Sequence, residues 1–318
     1  MTSVNAVARA GDPPEPPPEK PRRDTWTALL MVSPAVLLLL LFVVVPFILA
    51  IFLSLNNVKL STGRPPSWMG LEQYRRLFFD PDVSSEFFKG LINNFVFALI
   101  VVPTQTLAAL GLALLLNRPL RGIAIFRTMF FMPVVFPMAL VATIWQLIYS
   151  RDSLGLFNSL LGAISFGMIK PLDWLGDPNL ALFSIVLMSI WQGVGFQMII
   201  LLAGLQGIPS SLYEAAALDR AGKFQKFLNV TVPGLRNTLI FVVMITTIFS
   251  LRLFDQVYIL TSGGPNNSTT TIMYQAVYQA FDRDNIGRAA AITVVFMVIV
   301  VIITLIQRRI LREEREVA

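Results

Sequence analysis

Six long apolar segments constrain this chain more than any other feature. The first, residues 26–58, carries no charged side chain and is much longer than the roughly 7 to 15 apolar residues of a cleavable signal peptide. Five others approach or meet the about 20 apolar residues that an α-helix needs to cross a bilayer. They are residues 91–116, 128–149, 180–205, 238–260 and 289–306. These segments predict an all-α membrane protein with six transmembrane helices.

Composition agrees with this prediction. Of the 318 residues, 55% are hydrophobic and 14% are charged, which is unlike an ordinary soluble domain. We attribute the net charge of +6 to cytoplasmic loops rich in Lys and Arg, not to nucleic-acid binding. The chain has no cysteine and no histidine. This excludes disulfides, thiolate or imidazole metal ligands, and Cys or His catalysis.

Two features bear on the number and shape of the spans. Pro46, Pro103, Pro133 and Pro137 lie inside predicted spans, where kinks are expected because proline removes a backbone hydrogen bond. Residues 153–169 are uncharged but contain several Gly, Ser and Asn residues, and their apolar side chains recur at helical spacing. This pattern predicts an amphipathic helix at the membrane interface. A seventh span here would reverse the orientation of everything after it.

The distribution of cations predicts the orientation. Fifteen of the 25 Lys and Arg residues lie in short segments on one predicted side of the membrane. They are Arg9, Lys20, Arg22 and Arg23; Arg118, Arg121 and Arg127; Arg220, Lys223, Lys226 and Arg236; and Arg308, Arg309, Arg312 and Arg315. Because such segments stay in the cytoplasm, both termini are predicted to be cytoplasmic.

The chain divides into four predicted regions. Residues 1–25 are rich in proline and charge, so a disordered cytoplasmic tail is expected. Residues 26–90 hold the first transmembrane helix and an external loop, residues 91–307 form the membrane core, and residues 308–318 form a cytoplasmic tail. Within the core, residues 271–281 are predicted to form an external helix that either contacts a soluble partner or packs on the spans.

Residues 207–236 form the longest polar interval between two apolar segments that is also built to be helical. Ser211 and Glu214 have the spacing of a capping box, which predicts a helix start. Gly222 is expected to end this helix in a left-handed conformation, and Pro233 interrupts the amphipathic segment that follows. Short helices of this kind are suited to lie against another protein.

This interval matches a known motif. The residues Glu214-Ala215-Ala216, Asp219, Ala221, Phe227 and Val230-Thr-Val-Pro233 resemble the EAA loop of permease subunits of ABC importers. The resemblance implies the type I importer permease fold and a coupling loop, residues 207–236, that docks on a cytoplasmic ATPase. It assigns this contact to Glu214, Ala215, Ala216, Asp219, Gly222 and Pro233. Arg220 departs from the family pattern, in which glycine is commonest, and a turn displaced towards Gly222 is therefore expected.

A second region points to a subgroup. Residues 249–265 and 287–291, with Tyr274 and Phe281, resemble carbohydrate-uptake permeases of the maltose and glycerol-phosphate type. The resemblance implies a multi-pass protein of a bacterial or archaeal plasma (inner) membrane, surrounded by lipid. The implied partners are a second permease subunit, usually in a heterodimer, two cytoplasmic ATPase subunits and an extracytoplasmic solute-binding protein. The chain itself is expected to hold no cofactor, since the ATPase subunits bind ATP.

Polar residues within the spans are candidates for a solute path. They are Gln146, Trp191, Gln192, Gln197, Arg252 and Asp255. The glutamine amides and the flat tryptophan face suit polyhydroxylated solutes, although glutamines that merely join helices are the alternative. The two charged residues, three apart on one predicted helical face, either line a path or gate or form a salt bridge that locks helices together.

Two other classes of membrane protein fit the sequence less well. A membrane-embedded enzyme needs an intramembrane base, a metal site or a carboxylate pair, and Asp255 is the one acid within a predicted span. An ion-gradient-driven secondary transporter shows inverted repeats with paired broken helices, which the sequence does not display. The chain has no Gly-x-x-x-x-Gly-Lys-Ser/Thr phosphate loop, so transport driven by ATP needs a separate ATPase chain.

Overall fold

The computed structural model describes residues 25–59, 61, 65–152 and 155–311. Most of both predicted tails, residues 1–24 and 312–318, therefore lies outside the described residues. The chain divides into two compact units, residues 1–49 and 50–318. Helix α1 (Thr25–Leu39) passes through a π-helical turn (Leu40–Val44) into α2 (Val45–Ser54). That turn ends two residues before Pro46, whose missing N–H disrupts the regular helical pattern.

The second unit consists mainly of helices. In chain order they are α3 (Glu72–Phe79), α4 (Pro81–Leu116), α5 (Ile123–Val135), α6 (Met138–Ile148), α7 (Leu156–Ile164), α8 (Ala181–Gln206), α9 (Ser210–Leu218), α10 (Lys223–Lys226), a π-helical turn (Phe227–Thr231), α11 (Val232–Gly234), α12 (Arg236–Leu251), α13 (Asp255–Leu260), α14 (Ile272–Phe281) and α15 (Ile286–Ile310). Two short antiparallel strands, β1 (Asn56–Asn57) and β2 (Ser67–Trp68), pair Asn56 with Trp68.

The helices supply the predicted spans. Within the part of the chain that the structure describes, four helices are long and apolar enough to cross a membrane: the continuous helix Trp26–Ser54, α4, α8 and α15. Two bent pairs bring the number to six when each pair is one span. These are α5 with α6, bent by 99°, and the helical segment Lys223–Gly234 with α12, bent by 67°. Helix α7 has only 9 residues and is too short to cross.

The bend between α5 and α6 follows from Pro137. A residue that precedes proline is disfavoured in the helical conformation, and Phe136 is extended, with φ −76° and ψ 139°. Helix resumes at Met138. Pro103, in contrast, does not interrupt α4. Proline therefore breaks a span where the preceding residue leaves the helical conformation, and elsewhere the helix continues through it.

Two helices differ in extent from the apolar segments that the sequence predicts as spans. Helix α4 starts at Pro81, well before residue 91, because Asp80 caps it by accepting a hydrogen bond from the Asp82 amide (3.2 Å) and proline suits the first helical turn. The predicted span 238–260 is not one helix. Helix α12 ends at Leu251, and helical structure resumes only at α13.

Strands β1 and β2, with α3 and α14, gather around one end of α4 and α15. Leu77, Phe87 and Ile272 form a buried core there. Within α3, hydrogen bonds from the guanidinium groups of Arg75 and Arg76 lower the pKa of Glu72 to about 2. These ion pairs therefore persist through the physiological pH range.

Helix α8 is the most buried of the spanning helices and packs against α4, α5 and α12. Its approach to α5 depends on Gly195, where a Cβ atom would lie 2.0 Å from the backbone oxygen of Phe130. Only glycine allows two helix backbones to come this close, as is common between helices in membranes.

Candidate translocation cleft and coupling loop

A cleft of about 530 Å³ opens between α4, α8 and α12, beside the break that precedes α13. Its walls are mainly apolar, with polar groups at a few points. The polar and charged lining residues are Gln105, Ser189, Gln192, Gln197, Thr246, Ser250, Arg252, Asp255 and Gln256. Apolar pockets with a few placed polar groups are typical of small-molecule sites.

Gln197 both joins helices and faces the cleft. Its Nε2 donates a hydrogen bond to Thr246 Oγ1 of α12 over 2.6 Å. Its Oε1 is buried and, within the described part of the chain, accepts no hydrogen bond. A buried acceptor without a partner is costly. Nearby, Gly193 leaves room for Gln105, whose Nε2 would lie 2.4 Å from an added Cβ.

Arg252 and Asp255 also line the cleft, but not as a pair on one helical face. Arg252 follows the last residue of α12 and Asp255 begins α13, so the helix is broken between them. Among the described residues, no ion pair joins these two side chains. Both side chains are exposed. This geometry fits cleft lining and removes the basis for a helix-locking salt bridge.

Two of the predicted path residues lie elsewhere. Gln146 is exposed on α6 and does not belong to the cleft lining. The ring of Trp191 packs edge-on against Trp145, 5.5 Å between centroids. Residues adjacent on a helix point about 100° apart, which is why Gln192 lines the cleft and Trp191 does not.

Sequence reasoning missed several lining residues. Thr246 and Ser250 are hydroxyl residues in an apolar helix, where they commonly bond to their own backbone and carry no distinctive signal. Indeed, Thr246 Oγ1 donates to the carbonyl oxygen of Val242 over 2.6 Å. Gln256 reaches the cleft because the helix is broken just before it, and the sequence pattern did not reveal that break.

Asn94 of α4 holds the break in place. This fully buried residue donates from Nδ2 to the carbonyl oxygen of Leu251 (3.0 Å) and accepts at Oδ1 from the amide of Ile272 (3.0 Å). Thr271 Oγ1 donates to the carbonyl oxygen of Leu253 over 2.8 Å. Backbone groups freed where α12 ends and α14 starts are thus satisfied by side chains. These bonds fix the chain on either side of Arg252.

In the coupling loop, α9 ends in a Schellman motif. The Arg220 amide donates to the carbonyl oxygen of Ala217 (3.0 Å), and the Ala221 amide donates to that of Ala216 (2.9 Å). Arg220 itself adopts the left-handed conformation, with φ 56°. The turn is therefore not displaced. Arginine occupies the left-handed position where the family pattern favours glycine.

The other predicted end signals of this helix have different roles. Gly222 has φ −68° and ψ 169°, and it starts α10 with its amide bonded to Gln225 Oε1 over 2.7 Å. Helix α9 starts after Pro209 with no side-chain cap. The capping box of Ser211 and Glu214 is therefore not formed, and a proline turn sets the start of the helix.

Helices α9 and α10 carry an exposed carboxylate and two exposed large apolar side chains. Glu214 is exposed and, within the described residues, takes part in no ion pair. Leu218 is 86% exposed and Phe224 is 72% exposed. Tyr213 shares a 3.0 Å hydrogen bond with Thr231 Oγ1, which ties α9 to the π-helical turn. Grouped exposed apolar side chains mark interaction surfaces.

We expect Arg220→Gly to stabilise α9. The left-handed conformation costs a non-glycine residue about 1 kcal/mol, and glycine removes that cost. Hydrogen exchange at the α9 amides should slow accordingly. Gly222→Ala is the matched control, because its backbone conformation is open to alanine, and it should leave exchange at α9 unchanged. Faster exchange in Arg220→Gly would contradict the assigned turn.

The described residues contain no cluster of three or more acidic side chains able to hold a metal ion. The spanning helices, the polar-lined cleft and the exposed loop between two spans together define a membrane permease. Residues 83–316 match the family described as binding-protein-dependent transport system inner membrane component. The chain belongs to this family and is a multi-pass inner-membrane protein.

Two individual relatives agree with this family assignment, and one solved structure shares the fold. The chain is 36% identical over 277 residues to YurN of Bacillus subtilis, named as a probable ABC transporter permease, covering 86% of this chain and 92% of that one. It is 33% identical over 294 residues to the trehalose/maltose transport system permease MalF of Thermococcus litoralis, covering 92% and 96%. Its fold matches a chain of a bacterial alginate ABC transporter with a TM-score of 0.77, at 21% identity, covering 92% and 97%. The type I importer permease fold is confirmed.

Proposed function

We propose that this chain is the permease subunit of an ATP-driven importer for a carbohydrate or related polyhydroxylated solute. The observation that carries the proposal is the exposure of Glu214 and Leu218 on α9 and of Phe224 on α10, in a chain of the binding-protein-dependent family. The chain itself holds no cofactor and hydrolyses no ATP. ATP binding and ATP hydrolysis belong to the ATPase subunits that bind α9.

The coupling contact combines charge with apolar burial. Glu214 pairs with a basic residue of the ATPase, and Ala215 and Ala216 let the two backbones approach closely. Asp219 and Arg220 end the helix, while Gly222 and Pro233 set the course of the chain back to α12. Because Tyr213 ties α9 to the π-helical turn, a displacement of α9 is passed on to that turn and to α12.

The proposed assembly has one orientation. Both termini and the coupling loop face the cytoplasm, where the two ATPase subunits bind. A second permease subunit completes the path, and an extracytoplasmic binding protein delivers the solute at the opposite end. Support comes from the excess of Lys and Arg on the coupling-loop side and from the family description.

Sided labelling tests this orientation. The chain has no cysteine, so Glu214→Cys gives one thiol without background. In intact cells it should react only with a membrane-permeant maleimide, whereas Asp82→Cys, at the start of α4, should also react with an impermeant one. Reaction of residue 214 with the impermeant reagent in intact cells would rule out the coupling role.

The cleft is the proposed solute path. Amide groups at Gln192 and Gln197 and charged groups at Arg252 and Asp255 line it, and polyhydroxylated solutes need many such hydrogen-bond partners. The trehalose/maltose assignment of the Thermococcus litoralis relative supports the same class of solute here.

We expect Gln192→Leu to lower the rate of solute uptake at low solute concentration by about five- to tenfold, since one hydrogen bond contributes about 1 kcal/mol. Gln146→Leu is the matched control, because Gln146 lies outside the cleft, and it should leave uptake unchanged. Uptake of radiolabelled solute is measured in cells that carry each variant. Equal effects of the two substitutions on uptake would show that the cleft is not the solute path.

A further inference from the structure

Helix α7 exposes an apolar surface that the described part of the chain does not cover. Leu156, Leu160 and Ile164 lie on one helical face, and Phe166 and Met168 continue it past the helix end; we call these five residues the α7 apolar face. Ile164 is 78% exposed, Phe166 89% and Met168 82%. Side chains of this size rarely stay so exposed to water in a row.

The opposite side of α7 is fixed to the protein. The buried Asn158 donates from Nδ2 to the carbonyl oxygens of Ser150 (3.1 Å), Arg151 (3.2 Å) and Leu172 (2.9 Å). Its Oδ1 accepts hydrogen bonds from the Leu172 amide and from Trp174 Nε1, each 3.0 Å long. These bonds hold the helix in one rotational setting. The α7 apolar face is therefore kept turned away from the bundle.

Contacts also fix the depth of α7. Phe157 packs edge-on against Tyr149, 5.3 Å between centroids, at the end of α6. Trp174 accepts a hydrogen bond at its carbonyl oxygen from Ser184 Oγ in the first turn of α8. Helix α8 has 26 residues, so it is about 39 Å long, longer than the roughly 30 Å hydrocarbon core. With α8 placed across the bilayer, its first turn and the adjacent α7 would lie near the boundary between hydrocarbon and water, at the end of α8 remote from the coupling loop.

The backbone enters the left-handed region at the end of α7. Phe166 has φ 52°, in the left-handed region that bulky residues avoid, and Gly167 follows with φ 78°. The strained residue is also the most exposed one of the apolar face. This conformation belongs to a Schellman motif that ends α7: the Phe166 amide donates to the carbonyl oxygen of Ala163 (3.4 Å), and the Gly167 amide donates to that of Gly162 (2.8 Å). An ion pair of Arg151 with Asp173 (3.6 Å) adjoins the helix and marks the side that faces water.

We propose that α7 is an interfacial membrane anchor whose apolar face inserts among the lipid acyl chains of the leaflet opposite the coupling loop. Lipid is the occupant because the face lies at the depth of the acyl boundary, next to the ends of two spanning helices, and carries no charge. Inserted in this way, α7 sets the depth of the α6 and α8 ends in the bilayer. The proposal does not depend on coupling to an ATPase.

Spin labelling of the full-length chain tests the anchor. Because no native cysteine interferes, nitroxides are attached singly at Phe166→Cys and Leu160→Cys. Ser159→Cys is the control, since it lies about 100° around the helix from Leu160. The variants are reconstituted in vesicles of phosphatidylethanolamine and phosphatidylglycerol. Collision rates are then measured with oxygen, which concentrates in lipid, and with a water-soluble nickel chelate.

If α7 is an anchor, the ratio of the collision rate with oxygen to that with the nickel chelate is several-fold higher at residues 160 and 166 than at residue 159. Leu160→Cys lies away from the strained turn, so the test holds even if the Phe166 variant perturbs its backbone. Equal ratios at the three positions would show a face open to water. Immobilised labels that collide with neither reagent would show a face covered by protein. Either outcome overturns the proposal.

Discussion

Glu214→Lys is expected to leave the chain folded and inserted but to abolish solute-stimulated ATP hydrolysis by the assembled importer. Glu214 is exposed and makes no ion pair among the described residues, so the change removes nothing from the fold. At the proposed interface it replaces an attraction by a repulsion. Breaking a buried interfacial charge pair costs about 2–5 kcal/mol, which weakens ATPase docking by about 30-fold or more.

The measurements are co-purification of the ATPase subunits and ATP hydrolysis in proteoliposomes. Glu86→Lys is the control, because it makes the same charge change at an exposed position on the other end of the bundle, and it should keep the ATPase bound. Glu214→Gln, which removes the charge without reversing it, should fall between the two. Normal uptake by Glu214→Lys would end the coupling assignment.

Asn94→Leu should cause the largest loss of stability of the substitutions considered. Leucine matches the size of asparagine but leaves the buried carbonyl oxygen of Leu251 and the buried amide of Ile272 without their present partner. An unsatisfied buried backbone group costs about 1–3 kcal/mol, so a total of about 2–6 kcal/mol is expected for the two groups. The break between α12 and α13 should loosen as well.

Thermal unfolding in detergent measures the loss of stability. The solute dependence of uptake measures the loosening of the break between α12 and α13. Asn93→Leu is the matched control one residue earlier on α4. Asn93 only donates to the carbonyl oxygens of Asn267 and Thr270, so its loss strands no buried amide and should cost less. Equal unfolding midpoints for the two variants would show that Asn94 does not hold the break.

Local patterns were enough to predict the membrane class and the position of the polar loop between two spans. Each span depends on about 20 consecutive apolar residues, and the break at Pro137 follows from the residue that precedes a proline. The loop motif is a short run of contiguous residues. Such features are readable because their cause lies in neighbouring residues of the sequence.

The end of α9 is a feature that the local sequence pattern predicted incorrectly. The sequence pattern favoured a turn at Gly222, since glycine enters the left-handed conformation at little cost. The structure instead places Arg220 there, because two backbone hydrogen bonds close the Schellman motif at that residue. Hydrogen bonding of the whole turn outweighs the preference of a single residue.

The sequence by itself determined the order of the apolar segments, the position of the polar loop and the family. Only the tertiary structure decided which polar residues share the cleft. Arg252 and Asp255 face it because Asn94, far away in the sequence, ends α12 at Leu251. Gln146 and Trp191 are excluded by the rotation of their helices. Cleft lining depends on contacts between distant segments, and these are set by packing rather than by local pattern.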